Sequence, residues 1–97
     1  MRLEVLENTM NINKDEILHN ICYTELGYAR INKKLNTDFS KEQIENLILR
    51  IIDETPATFF EKAGKNYYII NPNHCIKITI NSNTFRVITV DEICFAQ

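Results

Sequence analysis

The hydrophobic positions of this chain change period near its middle. Up to Pro56 they recur at helical spacing, and beyond it they fall into four short runs rich in aromatic and β-branched residues. Ile44, Leu47, Ile48, Ile51 and Ile52 give the i, i+3, i+4, i+7, i+8 stripe of a core-facing helix. Ser40 and Gln43 are spaced as a capping box, and Phe39 and Ile44 as a hydrophobic staple. Pro56 ends this helix, because proline disfavours helix at the residue before it. An earlier helix starts from Asn13, with Glu16 three residues on and Ile12 and Ile17 placed as a staple. Its stripe is Ile17, Leu18, Ile21 and Cys22. Thr24 is placed to cap a further helix, Glu25 to Leu35, with Leu26, Ile31 and Leu35 inward and Gly27 as its weak point.

The predicted strands are Thr58 to Lys62, Asn66 to Ile70, Cys75 to Ile80 and Phe85 to Val90. The loops between them carry turn chemistry: Ala63-Gly64-Lys65, Asn71-Pro72-Asn73-His74 and Asn81-Ser82-Asn83-Thr84. Loops this short make hairpins, so the sheet is expected to be an antiparallel meander. The expected register sets Ile80 against Phe85, Ile78 against Val87, Ile76 against Thr89, Ile69 against Ile76, Tyr67 against Ile78 and Phe59 against Ile69. One face then holds Phe59, Tyr67, Ile69, Ile76, Ile78, Ile80, Phe85 and Val87, a core face for the helices. The other holds Lys62, Tyr68, Lys77, Thr79 and Arg86, mixed with Phe60, Ile70, Cys75, Ile88 and Val90. A slip of one residue would exchange these faces. The expected class is α+β: three helices packed on one face of a four-stranded antiparallel meander sheet. Leu3 and Val5 alternate as in a short strand, so Arg2 to Leu6 offers a fifth.

Composition narrows the class. Ninety-seven residues, 44% of them hydrophobic, suit a single domain over residues 1–97. A formal net charge of −2 and a sequence pI near 5.6 argue against strong nonspecific nucleic-acid binding but leave room for a local basic face. No apolar run is long enough for a membrane span, and the N-terminus lacks the apolar region of a signal peptide. Cys22, Cys75 and Cys94 form no disulfide framework and fit reduced thiols in a cytoplasmic protein. His19 with Cys22, and His74 with Cys75, fall short of a four-ligand zinc pattern, so neither a metal nor another cofactor is expected. Asp15, Glu16, Glu42, Glu45, Asp53 and Glu54 cluster in the helical half and read as solvated helix faces.

The candidate chemistry lies on the second sheet face. In the expected register Tyr68 faces Lys77, and Thr79 faces Arg86. Two cations and a phenol there suit a phosphate, with Arg86 as a bidentate donor and Tyr68 as a stacking surface for a base. Lys62, Lys77 and Arg86 are the candidate nucleic-acid contacts, and His74, Arg86 and Tyr68 the candidate catalytic groups, with His74 as a general base. The same alternation also suits an ordinary solvated sheet face with long side chains lying over apolar neighbours.

Thr24-Glu25-Leu26-Gly27, Arg30-Ile31, Leu35, Gly64-Lys65-Asn66-Tyr67-Tyr68 and a last strand ending Val87-Ile88-Thr89 together resemble an uncharacterised bacterial family, domain of unknown function 3781. The resemblance runs from about Asn13 to Thr89 and implies a small bacterial cytosolic protein, with no activity to carry over. In architecture the chain is also similar to the RelE- and barnase-like ribonucleases, which cleave RNA with Arg, Lys, His, Tyr or Glu on the sheet. That similarity implies an RNA-directed, metal-independent endoribonuclease using Arg86, Lys77, Tyr68 and His74. The rival expectation is a non-catalytic interaction module or homodimer, its surface formed by Phe60, Ile70, Ile88, Val90 and the tail Ile93-Cys94-Phe95.

Overall fold

Side-chain caps set where each helix begins. The computed structural model describes residues 12–93, in which α1 spans Lys14–Asn20, α2 Glu25–Leu35 and α3 Lys41–Glu54. Asn13 Oδ1 accepts the Glu16 N–H at 3.1 Å, and Thr24 Oγ1 accepts the Gly27 N–H at 3.0 Å. Ser40 and Gln43 form both halves of a capping box, at 3.1 and 2.8 Å. Each cap satisfies an N–H for which the helix has no internal partner. Lys14 Nζ donates to the Asp53 and Thr55 carbonyls, tying α1 to the negative end of α3.

Four strands follow a 3-10 turn at Ala57–Phe59: β1 Phe60–Ala63, β2 Asn66–Asn71, β3 Ile76–Asn81 and β4 Val87–Glu92. They form one antiparallel sheet in the order β1-β2-β3-β4. The expected α+β class is the class found. Ile44, Ile48, Ile51 and Ile52 of α3, Ile17 of α1 and Ile31 of α2 are fully buried, as are Ile69, Ile78 and Ile80 of the sheet. Burying each such side chain is worth about 1.5–3 kcal/mol, so this layer holds the fold together. Leu26, expected inward, is 62% exposed. α2 turns Gly27 and Ile31 to the core instead.

The hairpin registers depart from expectation at all three turns. In the first, Gly64 adopts φ 61° and the loop shortens to Gly64-Lys65, pairing Ala63 with Asn66 and Phe60 with Ile69. The strand therefore begins at Phe60, not Thr58. Phe60 enters the core, Phe59 leaves it, and Lys62 moves to the helix side opposite Tyr67. In the second turn Asn71 stays in the strand opposite Ile76, and Cys75 turns the chain at φ 57°. This slides β3 by two positions and keeps its faces: Tyr68 lies opposite Thr79, and Ile70 opposite Lys77.

In the third turn Asn81 Oδ1 accepts the N–H groups of Asn83 and Thr84, and Phe85 takes φ 61°. Val87 then pairs with Ile80 and Thr89 with Thr79, leaving Ile88 as the extra residue of a bulge. The bulge turns both Val87 and Val90 inward, whereas Val90 was expected on the outer face. The apolar surface expected for a homodimer thus loses Phe60 and Val90 to the core. The expected strand Arg2 to Leu6 and the tail residues Cys94 and Phe95 lie outside the described residues.

Among the described residues no helix is long and apolar enough to cross a membrane. Cys22 carries a free, exposed thiol, but Cys75 is disulfide-bonded, which corrects the expectation of reduced thiols at that position.

Candidate nucleic-acid interface

The altered registers distribute the predicted site residues over separate parts of the molecule. Tyr68 and Lys77 remain together on the outer sheet face. They are diagonal neighbours, not a directly opposed pair, and Lys77 Nζ sits 5.5 Å from the Tyr68 ring centroid. Asp91 lies directly opposite Lys77 on β4. Asp91 is itself paired with Lys34 of α2 at 2.7 Å, so this corner of the face is close to charge balance. Lys62 stands on the other side of the sheet, its Nζ reaching the Gly64 carbonyl at 3.4 Å.

His74 serves the turn between β2 and β3. Its N–H donates to Asn71 Oδ1 at 2.8 Å, and its Nε2 lies 2.9 Å from Glu54 Oε1 at the end of α3. The imidazole is therefore drawn to the helix side, away from the outer face. Arg86 follows the turn at the opposite end of β3. Six residues at about 3.3 Å each put the two turns roughly 17–20 Å apart. A general base must come within hydrogen-bond reach of its proton. His74 and Arg86 accordingly do not form one catalytic constellation.

Arg86 instead joins a residue that sequence reasoning did not assign to the site. Arg30 and Arg86 line one groove of about 150 Å³ with Thr24, Leu26, Gly27, Val87 and Ile88. Backbone bonds hold Arg86 from both sides: Cys22 N–H donates to the Phe85 carbonyl and Val87 N–H to the Cys22 carbonyl, each at 2.9 Å. Gly27 sets the depth of the groove. A Cβ there would lie 3.2 Å from the Val87 carbonyl oxygen and from Thr24 Oγ1, so any side chain would push α2 and β4 apart by a few tenths of an ångström. The groove opens beside the first turn of α2, the positive end of the helix dipole.

The charges of this groove are unmatched. Among the described residues the ion pairs are Lys34–Asp91, Lys41–Glu25 and His74–Glu54. Neither guanidinium takes part in any of them, and both arginines are exposed. Arg30 carried one legible signal. A glycine inside a helix marks a close backbone approach, and Arg30, three residues on, shares its face. Glu45 also departs from expectation: it is half-buried on α3 and accepts a hydrogen bond from the Tyr28 hydroxyl, so it is not a solvated residue. Among the described residues no three His, Cys, Asp or Glu side chains converge as metal ligands.

The model of one family, described as Protein of unknown function (DUF3781), matches residues 15–91. The chain belongs to this family. The match spans Gly27, both arginines of the groove and the Tyr68–Lys77 pair, so for DUF3781 the site described above lies within the family domain. No curated protein and no solved structure matches the chain.

Proposed function

We propose that this DUF3781 protein is an RNA-directed binding protein that holds a backbone phosphate between Arg30 and Arg86. The observation that carries this reading is the pair of exposed guanidiniums lining one groove without a carboxylate partner among the described residues. Guanidinium groups bind phosphate through parallel N–H donors in a fixed fork. The positive end of α2 adds to the same field. Leu26, 62% exposed in the groove wall, offers an apolar contact for a sugar or base. Tyr68 with Lys77 over its ring supplies a second contact, a stacking surface on the outer face of the sheet.

The reading is binding without cleavage. His74 stands at the far end of β3 with Glu54 as its partner, so it is not placed to move a proton at the phosphate site. The overall charge of −2 keeps the affinity modest, and the phosphate contact makes it fall as salt rises.

Fluorescence anisotropy with a labelled single-stranded RNA in EDTA tests this, using the wild type and the Arg30→Ala/Arg86→Ala double variant. The wild type is expected to bind and leave the RNA intact. The double variant, folded by circular dichroism, is expected to bind at least about tenfold more weakly, the scale of a lost charge-assisted contact. Equal binding by the two proteins would refute the phosphate site. Cleavage that disappears in His74→Ala would refute the binding-only reading.

A further inference from the structure

A second cleft, of about 360 Å³, lies where the α1–α2 connection passes α3, and it is independent of the arginine groove. Leu18, Ile21 and Leu49 supply its apolar walls, and Tyr23, Tyr28 and Glu45 its polar groups. This volume falls in the range of small-molecule sites, which combine apolar walls with a few placed polar groups.

The polar groups are arranged with one acceptor pair left over. The Tyr23 and Tyr28 rings stack, with centroids 5.1 Å apart and planes 10° from parallel. The Tyr28 hydroxyl donates to Glu45 Oε2, which commits its only proton. That bond raises the Tyr28 phenol to about 12, with burial and the Glu45 charge adding to it. Burial pushes the Tyr23 phenol up further still, and the charge of Glu45 is felt there too. Both phenols are therefore neutral near pH 7. The Tyr23 hydroxyl is buried yet has no hydrogen-bond partner among the described residues. A buried hydroxyl in that condition calls for an explanation, because leaving it unpaired costs free energy. Tyr28 occupies Glu45 Oε2, and Oε1 takes no hydrogen bond among the described residues.

Among the described residues Glu45 takes part in no ion pair. Lys41, four residues earlier on the same helix, lies 5.4 Å from the Tyr28 ring centroid and is paired with Glu25 at 2.5 Å. The cleft therefore combines a carboxylate, an unpaired hydroxyl and an apolar wall. An anionic ligand would be repelled by Glu45, and a neutral one would leave its charge unmatched.

We infer that this cleft binds a small amphipathic amine, its ammonium head donating to Glu45 Oε1 and the Tyr23 hydroxyl and its apolar body resting on Leu18, Ile21 and Leu49. An ammonium has three donors and no acceptor, which suits these two acceptors, one of them a carboxylate oxygen.

The test is an amide NMR titration of the full chain at pH 7 with three probes of one size: cyclohexylmethylamine, cyclohexylmethanol and cyclohexanecarboxylate. The amine is expected to shift the amides of Cys22, Tyr23, Glu45 and Leu49 saturably, the alcohol to bind at least about tenfold more weakly, and the carboxylate to shift none of them. Glu45→Gln is expected to bring amine affinity down to that of the alcohol. Tyr23→Phe removes only the unpaired hydroxyl, keeps the fold and is expected to weaken the amine about threefold to tenfold. Equal affinity for amine and alcohol, shifts confined to residues outside the cleft, or an unchanged amine affinity in folded Tyr23→Phe would each overturn the inference. Tyr23→Phe decides the matter if Glu45→Gln fails to fold.

Discussion

At the scale of single residues, a few side chains hold more than their type suggests. Asn71 is one. It is buried, its Nδ2 donates to Thr55 Oγ1 at 2.8 Å, and its Oδ1 accepts the His74 N–H at 2.8 Å. One amide thus joins the end of α3 to the β2–β3 turn, which is why an asparagine tolerates a core position. Asn71→Ala is expected to lower unfolding free energy by about 1–3 kcal/mol in urea, because buried polar groups lose their partner. A loss below about 0.5 kcal/mol, the size of an ordinary surface substitution, would contradict that role. Tyr28 is another. Its phenol ionises near pH 12 in the folded protein against an ordinary 10.0, chiefly because its proton bonds to Glu45. The unfolded chain therefore releases this proton first, and the associated stability is intact below pH 10 and disappears as pH rises toward 12. Tyr28→Phe is expected to flatten the fall in urea midpoint over that window, while a parallel pair of curves would show that the hydrogen bond has no such effect.

At the scale of elements, helices and hairpins were legible to different degrees. The caps at Asn13, Thr24 and Ser40 and the isoleucine stripe of α3 are local patterns, and all appear where the sequence puts them. Hairpin registers rest on turn conformation. Gly64 announces a positive φ by its residue type, but Cys75 at 57° and Phe85 at 61° do not, since side-chain-bearing residues rarely adopt this region. Each of these positions changes which residues pair, and with them the site. Lys62 crosses to the helix side through the first turn, and Arg86 falls just before β4, bridged to Cys22 and beside α2, whereas Tyr68 and Lys77 survive a two-residue slide because it preserves their face. Arg30 escaped notice because its neighbour in space, Arg86, is far away in sequence. Gly64→Ala isolates turn conformation from packing, because a Cβ there meets nothing within 4 Å. The substitution is expected to cost about 1–2 kcal/mol of stability by urea denaturation, the scale of left-handed backbone strain. No change in stability would mean that this turn does not hold the first hairpin in register.

At the scale of the whole molecule, the question is how an acidic protein presents a basic site. The answer lies in pairing more than in totals. Lys34 and Lys41 meet Asp91 and Glu25, and Lys14 is committed to carbonyls at the end of α3, while Arg30 and Arg86 meet no acid among the described residues. A net charge of −2 therefore coexists with a local positive groove. The most direct test is the salt dependence of RNA binding, measured as the slope of log affinity against log salt for the wild type and for Arg30→Ala/Arg86→Ala. Removing one phosphate contact on a single strand is expected to make the slope shallower by about 0.7, with weaker binding at every salt concentration. An identical slope and affinity in the folded double variant would contradict the claim that these two arginines hold a phosphate.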